Sequence, residues 1–275
     1  MENLVTSHTN PKIKQLRALR QRKQRDETGL FIVEGITHVA AAIEAGTQVE
    51  YVCYAPELLT SPFARELIER ESARGLPCYQ TTPEVFESVS EKDNPTGIIA
   101  VVHQRRLALD HLTPDNFYFG VALVSPQDPG NVGSILRTID AVGASGLILL
   151  DGGADVYHPN AVRASMGTLF SKQVVSATFN EFTRWARQHA YHVVGTSARA
   201  GDDYRAAHYA FPCILLMGNE QKGLSPEQMA ACDETVRIPM LGQVSSLNLA
   251  VAAGVMLYQV LAHSEASRAM DKRAQ

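Results

Sequence analysis

Three stretches of the 275-residue chain mix glycine with side chains that can hold and orient a ligand. The first runs from Asn131 through Gly133 and Ser134 to Arg137. The second is MGNEQKGLS, Met217 to Ser225. The third is IPMLGQVSSLNLA, Ile238 to Ala250. Each follows or adjoins an apolar run that reads as a strand, and ligands of open α/β sheets sit beyond the carboxyl ends of the strands. Glycine lets the backbone approach a ligand closely. Two familiar nucleotide signatures fail here. Gly218-x4-Gly223-Leu224-Ser225 lacks the P-loop lysine, because Lys222 stands before the second glycine. No G-x-G-x-x-G with a following acid occurs, so a dinucleotide fold is excluded. Singly, each stretch has an ordinary structural account: Asn131 as a helix N-cap, Ser245, Ser246 and Asn248 as caps of the last helix, Glu220 as a solvated carboxylate. Their coincidence on successive strand ends of one sheet points to a shared ligand site.

The elements that would position them alternate. Apolar strands are predicted at FGVALV (Phe119 to Val124), GLILL, HVVGTS, CILLMG and ETVRIP. Helices are predicted at VGSILRTIDAVG (from Val132), AVRASMGTLF, EFTRWARQHA, SPEQMAAC and the apolar SSLNLAVAAGVMLYQVLAH. That alternation implies a mostly parallel sheet covered on both faces. Gly133 is expected to let the chain turn tightly beside a ligand. Upstream, GLFIVEG, VEYVCYA, LPCYQT and TGIIAVV are strands with short helices between them, giving a smaller α/β domain. The polar segment from His103 to Asn116 reads as the connection. The expected division is residues 1–103, a linker over 104–116, a second domain over 117–265 and a tail over 266–275.

The net charge of -4 conceals an asymmetry. Residues 1–25 carry seven basic side chains against Glu2, in the run KIKQLRALRQRKQR, whereas residues 117–263 carry nine Lys and Arg against eleven Asp and Glu. Lys12, Lys14, Arg17, Arg20, Arg22 and Lys23 are therefore candidates for a phosphate backbone, held by a local patch rather than a global field. The alternative is a solvated helix face. The polar start has no apolar h-region, so no signal peptide is expected, and no membrane span is expected either. Four cysteines without a C-x-x-C pair suit a reduced, cytoplasmic chain. His158, His189, His192 and His208 lack metal-ligand spacing, so no metal is expected.

Together the three stretches resemble the SpoU (TrmH) family of RNA ribose 2′-O-methyltransferases, within the SPOUT superfamily. Its motif N-x-G-[SA]-x-x-R matches Asn131, Gly133, Ser134 and Arg137. Its second motif matches Met217, Gly218, Glu220, Gly223 and Leu224, and its third matches Ile238, Pro239, Met240, Gly242, Ser246, Leu247 and Asn248. Ala250 stands where many members have serine. The resemblance implies S-adenosylmethionine as cofactor, bound in a C-terminal trefoil knot by Gly218, Ile238 and Leu247, with Thr196, Met217 and Met240 beside them. It implies Arg137 as the catalytic residue, oriented with the RNA by Asn131, Glu220, Ser246 and Asn248. Arg137 is then either a base of depressed pKa or a cation holding phosphate and hydroxyl in line. The second role asks less of a group whose pKa lies above about 12. The resemblance further implies a ribosomal-protein-like RNA-recognition domain at the N-terminus and a homodimer built on the final helix. The RNA would be ribosomal, of the 23S type; a transfer-RNA enzyme or a non-catalytic RNA-binding protein of the same fold are the alternatives.

Overall fold

In the computed structural model residues 4–274 are described, with side chains only as far as Ser264. In chain order the elements begin with β1 (Leu4–Val5), α1 (Pro11–Ala18), α2 (Arg22–Thr28), β2 (Leu30–Glu34), α3 (Ile36–Glu44), β3 (Val49–Tyr54), α4 (Pro62–Ala73), β4 (Cys78–Thr81), α5 (Pro83–Glu87) and β5 (Ile98–His103). They continue with β6 (Phe119–Val124), α6 (Pro129–Ala141), β7 (Gly146–Leu150), α7 (Pro159–Ala164), α8 (Thr168–Ser171), β8 (Gln173–Ala177), α9 (Phe179–Gln188) and β9 (His192–Thr196). The last are β10 (Asp202–Asp203), β11 (Cys213–Met217), α10 (Pro226–Ala230), β12 (Glu234–Arg237) and α11 (Leu249–Ala274). The chain forms two compact units. One comprises Met1–Arg105 with Asp155–Ser171, the other Arg106–Ala154 with Lys172–Gln275.

In the first unit the strand order is β1-β4-β3-β5-β2, with β5 antiparallel to both neighbours. The basic run, expected as one helix, is two. In α1, Ile13 and Leu16 turn to the core, and Asn10 caps the start by accepting from the Lys12 N–H at 2.9 Å. The second helix, α2, closes at Gly29 with φ 67°. Residues 155–171, expected in the other domain, pack here for a visible reason. Arg25 is only 1% exposed and donates to Asp155 Oδ2 at 2.7 Å and to the carbonyls of Leu19 and Arg20. The Phe31 ring meets Tyr157 at 4.7 Å and Phe170 at 6.3 Å. The single helix expected over AVRASMGTLF is broken at Met166 and Gly167, whose φ values are 51° and 93°.

The second unit carries a seven-stranded sheet, all parallel, in the order β10-β12-β9-β11-β6-β7-β8. β8 and β10 extend it beyond the five strands legible as apolar runs. β6, β7 and β11 are buried along their whole length, as central strands of a doubly covered sheet must be. Met217 pairs with both Leu123 and Thr196, and Thr196 with Val236, so β6, β11, β9 and β12 end level with one another. The segment after Arg105 is not plain linker: Leu107 bridges to Val175, and Leu109 and Leu112 are buried. Trp185 donates its indole N–H to the Leu112 carbonyl at 2.9 Å, so that aromatic is buried with its polar atom satisfied.

Candidate functional site

The chemistry-bearing loops meet at the level end of β6, β9, β11 and β12. Asp128 accepts from the N–H groups of Gly130 and Asn131 and so caps α6, with Pro129 in the first helical position. The helix therefore starts at Pro129, three residues before the expected Val132. Gly133 lies inside it, buried, and makes no turn. Asn131 is not the cap, which leaves its side chain free to reach across to the other two loops.

It does so in both directions. Asn131 Nδ2 donates to Glu220 Oε1 at 3.3 Å, and Asn131 Oδ1 accepts from Asn248 Nδ2 at 3.0 Å. Glu220 also accepts from the backbone N–H of Gln127 at 3.0 Å and of Asp128 at 3.4 Å. A carboxylate at the start of a helix is favoured by the helix dipole. Asn248 Oδ1 caps α11, accepting from Ala250 N–H at 2.9 Å and Val251 N–H at 3.3 Å. Glu220, Asn131 and Asn248 thus form one relay joining the starts of α6 and α11 to the loop after β11. The hydrogen bonds of Glu220 run to Gln127, Asp128 and Asn131. Arg137 is exposed on α6, six residues beyond Asn131 and so about 9 Å further along the axis. Helical side chains lean towards the N-terminus, so its long chain reaches back over the turn that contains Ser134.

A cavity of about 360 Å³ opens beside the relay. Thr196, Met217, Gly218, Ile238, Met240 and Leu247 all line it, as do Glu220 and Ser246. Arg137, Asn131 and Asn248 are not among its lining. Gly218 is obligatory: a Cβ there would lie 2.2 Å from the Gly223 carbonyl carbon. The 219–223 loop folds back on itself, with Asn219 Oδ1 accepting from the N–H groups of Gln221 and Lys222. Asn219 Nδ2 donates to the Ser125 carbonyl at 2.8 Å and anchors the loop to the end of β6. Asn219 escaped the sequence reading, as it stands at an unspecified motif position; Asp128 escaped it too, although an aspartate directly before proline is the signal that could have marked the cap.

The apolar walls, the glycine cradle and the backbone groups of three loops suit a nucleoside with a short charged tail, so the residues present fit S-adenosylmethionine. Burial pushes the thiols of Cys53, Cys213 and Cys232 up to about 12 and that of Cys78 to about 11, so none offers a thiolate nucleophile at neutral pH. Among the described residues no group of three His, Cys, Asp or Glu is placed to hold a metal ion, and no helix is long and apolar enough to cross a membrane.

The basic patch is partly committed within the first unit. Arg17 donates to the His8 carbonyl and Ser88 Oγ, and Arg20 to the carbonyls of Val89 and Ser90. Lys12 Nζ sits 4.2 Å from the Tyr51 ring centroid. Lys14, Arg22 and Lys23 remain exposed, the last two beside Asp26 and Glu27. On α11 Leu249, Met256, Leu257 and Val260 are buried, whereas Val251 and Tyr258 are 53% and 55% exposed. Leu257, 0% exposed, belongs to the core and not to a surface that could meet another chain.

The model of the SpoU rRNA methylase family matches residues 118–258, and that of the MRM3-like substrate binding domain matches residues 10–100. The chain is 36% identical to the 23S rRNA (uridine(2479)-2′-O)-methyltransferase of Streptomyces viridochromogenes, over 94% of its own length and 91% of that protein. It is 29% identical to the 23S rRNA (guanosine(2553)-2′-O)-methyltransferase RlmP of Bacillus subtilis (strain 168), over 93% and 98% of the two chains. The AdoMet-bound rRNA methyltransferase from Sinorhizobium meliloti superposes with a TM-score of 0.87 at 38% identity, over 94% of this chain and 97% of that one.

Proposed function

As the chain belongs to the SpoU rRNA methylase family, we propose that it methylates a ribose 2′-hydroxyl of 23S-type ribosomal RNA with S-adenosylmethionine. One observation carries the reading: six residues from three separated loops line a single cavity, next to the Glu220–Asn131–Asn248 relay. The cofactor would supply an electrophilic methyl group on a positively charged sulfur. Gly218, Ile238 and Leu247 would hold its nucleoside, with Thr196, Met217 and Met240 around it. The reaction forms an O2′–CH₃ bond as the S–CH₃ bond breaks, and the hydroxyl proton must leave. Approach geometry and the handling of that proton are what the protein contributes. In this reading Arg137 holds the target phosphate and the 2′-oxygen in line, and Ser246 borders the reacting ribose. The relay keeps α6, which carries Arg137, in register with the cavity wall. The loops after β9, β11 and β12 would form the trefoil knot of the family. Cells would carry the enzyme in the cytoplasm as a homodimer.

The test is methyl transfer from radiolabelled S-adenosylmethionine to total RNA extracted from a strain that lacks the gene, with ribosomal and transfer RNA separated and the modified ribose mapped afterwards. Label in a single 23S-type nucleotide is expected. Label in transfer RNA would move the substrate, and no label despite calorimetric cofactor binding would overturn the enzymatic reading.

A further inference from the structure

The first unit holds a cavity of its own, of about 430 Å³, that the catalytic reading does not use. Specific small-ligand sites have volumes of about 300–1,000 Å³, mostly apolar walls and a few placed polar groups. Here the walls are aromatic. Phe31 and Phe170 are buried, and Tyr157 is half-buried, its ring centroid 4.7 Å from that of Phe31. The Tyr157 hydroxyl donates to the Arg105 carbonyl at 2.7 Å, which fixes the ring. The rim is polar, with Thr47, Gln48 and Arg105 on it. The Arg105 guanidinium is exposed and has no hydrogen-bond or ion-pair partner among the described residues.

An aromatic wall below an uncommitted guanidinium and an amide is the chemistry that receives an unpaired nucleobase. The ring stacks, the guanidinium takes the adjoining phosphate, and the amide and hydroxyl meet the base edge. A free phosphate would have no use for the aromatic wall, and an aliphatic ligand none for the cation. We propose that this cavity binds one unpaired base of the RNA substrate, stacked against Tyr157, with its phosphate on Arg105 and its edge at Gln48 and Thr47. The proposal rests on the reading of the chain as an RNA methyltransferase and adds a feature of its substrate: the RNA presents a splayed-out nucleotide to the recognition unit.

The test compares binding of the full chain to RNA hexamers with that to the same ribose-phosphate backbone bearing abasic residues, by fluorescence anisotropy at low salt. Base stacking on the aromatic wall should make the base-bearing oligomers bind roughly 5- to 150-fold tighter. Ala45 is exposed and lines the cavity. Ala45→Trp should fill it and abolish the preference while leaving S-adenosylmethionine affinity unchanged; Gln48→Trp, from the exposed rim, is the second filling variant. Arg105→Ala should weaken binding of both oligomers. Equal affinity of the wild type for base-bearing and abasic RNA would overturn the proposal, as would a preference that survives both tryptophans. Either result would leave methylation of ribosomal RNA untouched, so the pocket and the enzymatic reading fail separately.

Discussion

Gly218→Ala is the sharpest probe of the cavity. The new Cβ would lie 2.2 Å from the Gly223 carbonyl carbon, 2.4 Å from the Leu224 nitrogen and 2.6 Å from the Gly223 oxygen. All three are backbone atoms, so no side-chain rotation relieves the clash. Ordinary contact begins at 3.4 Å, so the end of β11 and the returning 223–224 backbone must part by about 1 Å. Overpacking of this kind costs about 1–3 kcal/mol. The loop can relieve it by opening, but opening displaces the cavity wall formed by Met217 to Leu224. Cofactor binding must then restore the strain, which corresponds to a roughly 5- to 150-fold rise in Kd at 1.36 kcal/mol per tenfold. The control is Gly201→Ala, where a Cβ meets nothing within 4 Å. Calorimetric titration of S-adenosylmethionine reads both, and circular dichroism checks that both are folded. Gly218→Ala binding within twofold of wild type would refute the argument that this glycine shapes a ligand site.

Arg137→Ala should lower methyl transfer by at least about 100-fold while S-adenosylmethionine affinity stays within about threefold, because Arg137 is not among the cavity lining; a filter-binding methylation assay with calorimetry measures both. Arg25→Met should destabilise the fold by about 3–5 kcal/mol in urea titration, as it leaves Asp155, with 11% of its side chain exposed, without its cation. Adding Asp155→Leu should recover part of that loss. Charge reversal at Lys14, Arg22 and Lys23 should weaken RNA binding and flatten its dependence on salt, since fewer counterions are released. Reversal at Arg20 should lower the melting temperature instead, because its guanidinium holds the Val89 and Ser90 carbonyls. Tyr258→Asp should convert a dimer to monomers in sedimentation equilibrium without unfolding, whereas Leu257→Asp should unfold the chain, since one side chain is 55% exposed and the other 0%. A dimer that survives Tyr258→Asp would place the interface elsewhere than the Val251–Tyr258 face.

The parallel sheet was legible because its central strands, FGVALV, GLILL and CILLM, are apolar throughout, which is how a strand buried on both faces must read. β8 and β10 were not, since QVVSA is only partly buried and β10 is two aspartates. The affiliation of residues 155–171 was hidden for another reason. It rests on a buried Arg25–Asp155 pair 130 positions apart in sequence, and Arg25 by type belongs on a surface.

The site divides in the same way. Which residue types gather at the strand ends is a local property, and the motifs carry it. Which of them touch is decided by strand order. β6 lies beside β11, and that adjacency alone places Asn131 against Glu220, 89 residues away. Nothing in the spacing distinguishes a Glu220 that orients Arg137 from one that fastens the start of α6. In the structure α6 begins at Pro129, a turn earlier than its apolar periodicity suggests. Two backbone N–H groups at that start then need an acceptor, and Glu220 is the carboxylate that reaches them. We therefore expect Glu220 to act on the reaction through the placement of a helix: each of its two oxygens takes one backbone N–H, so glutamine, which keeps a single acceptor oxygen, should cost part of what alanine costs, since alanine orphans both donors.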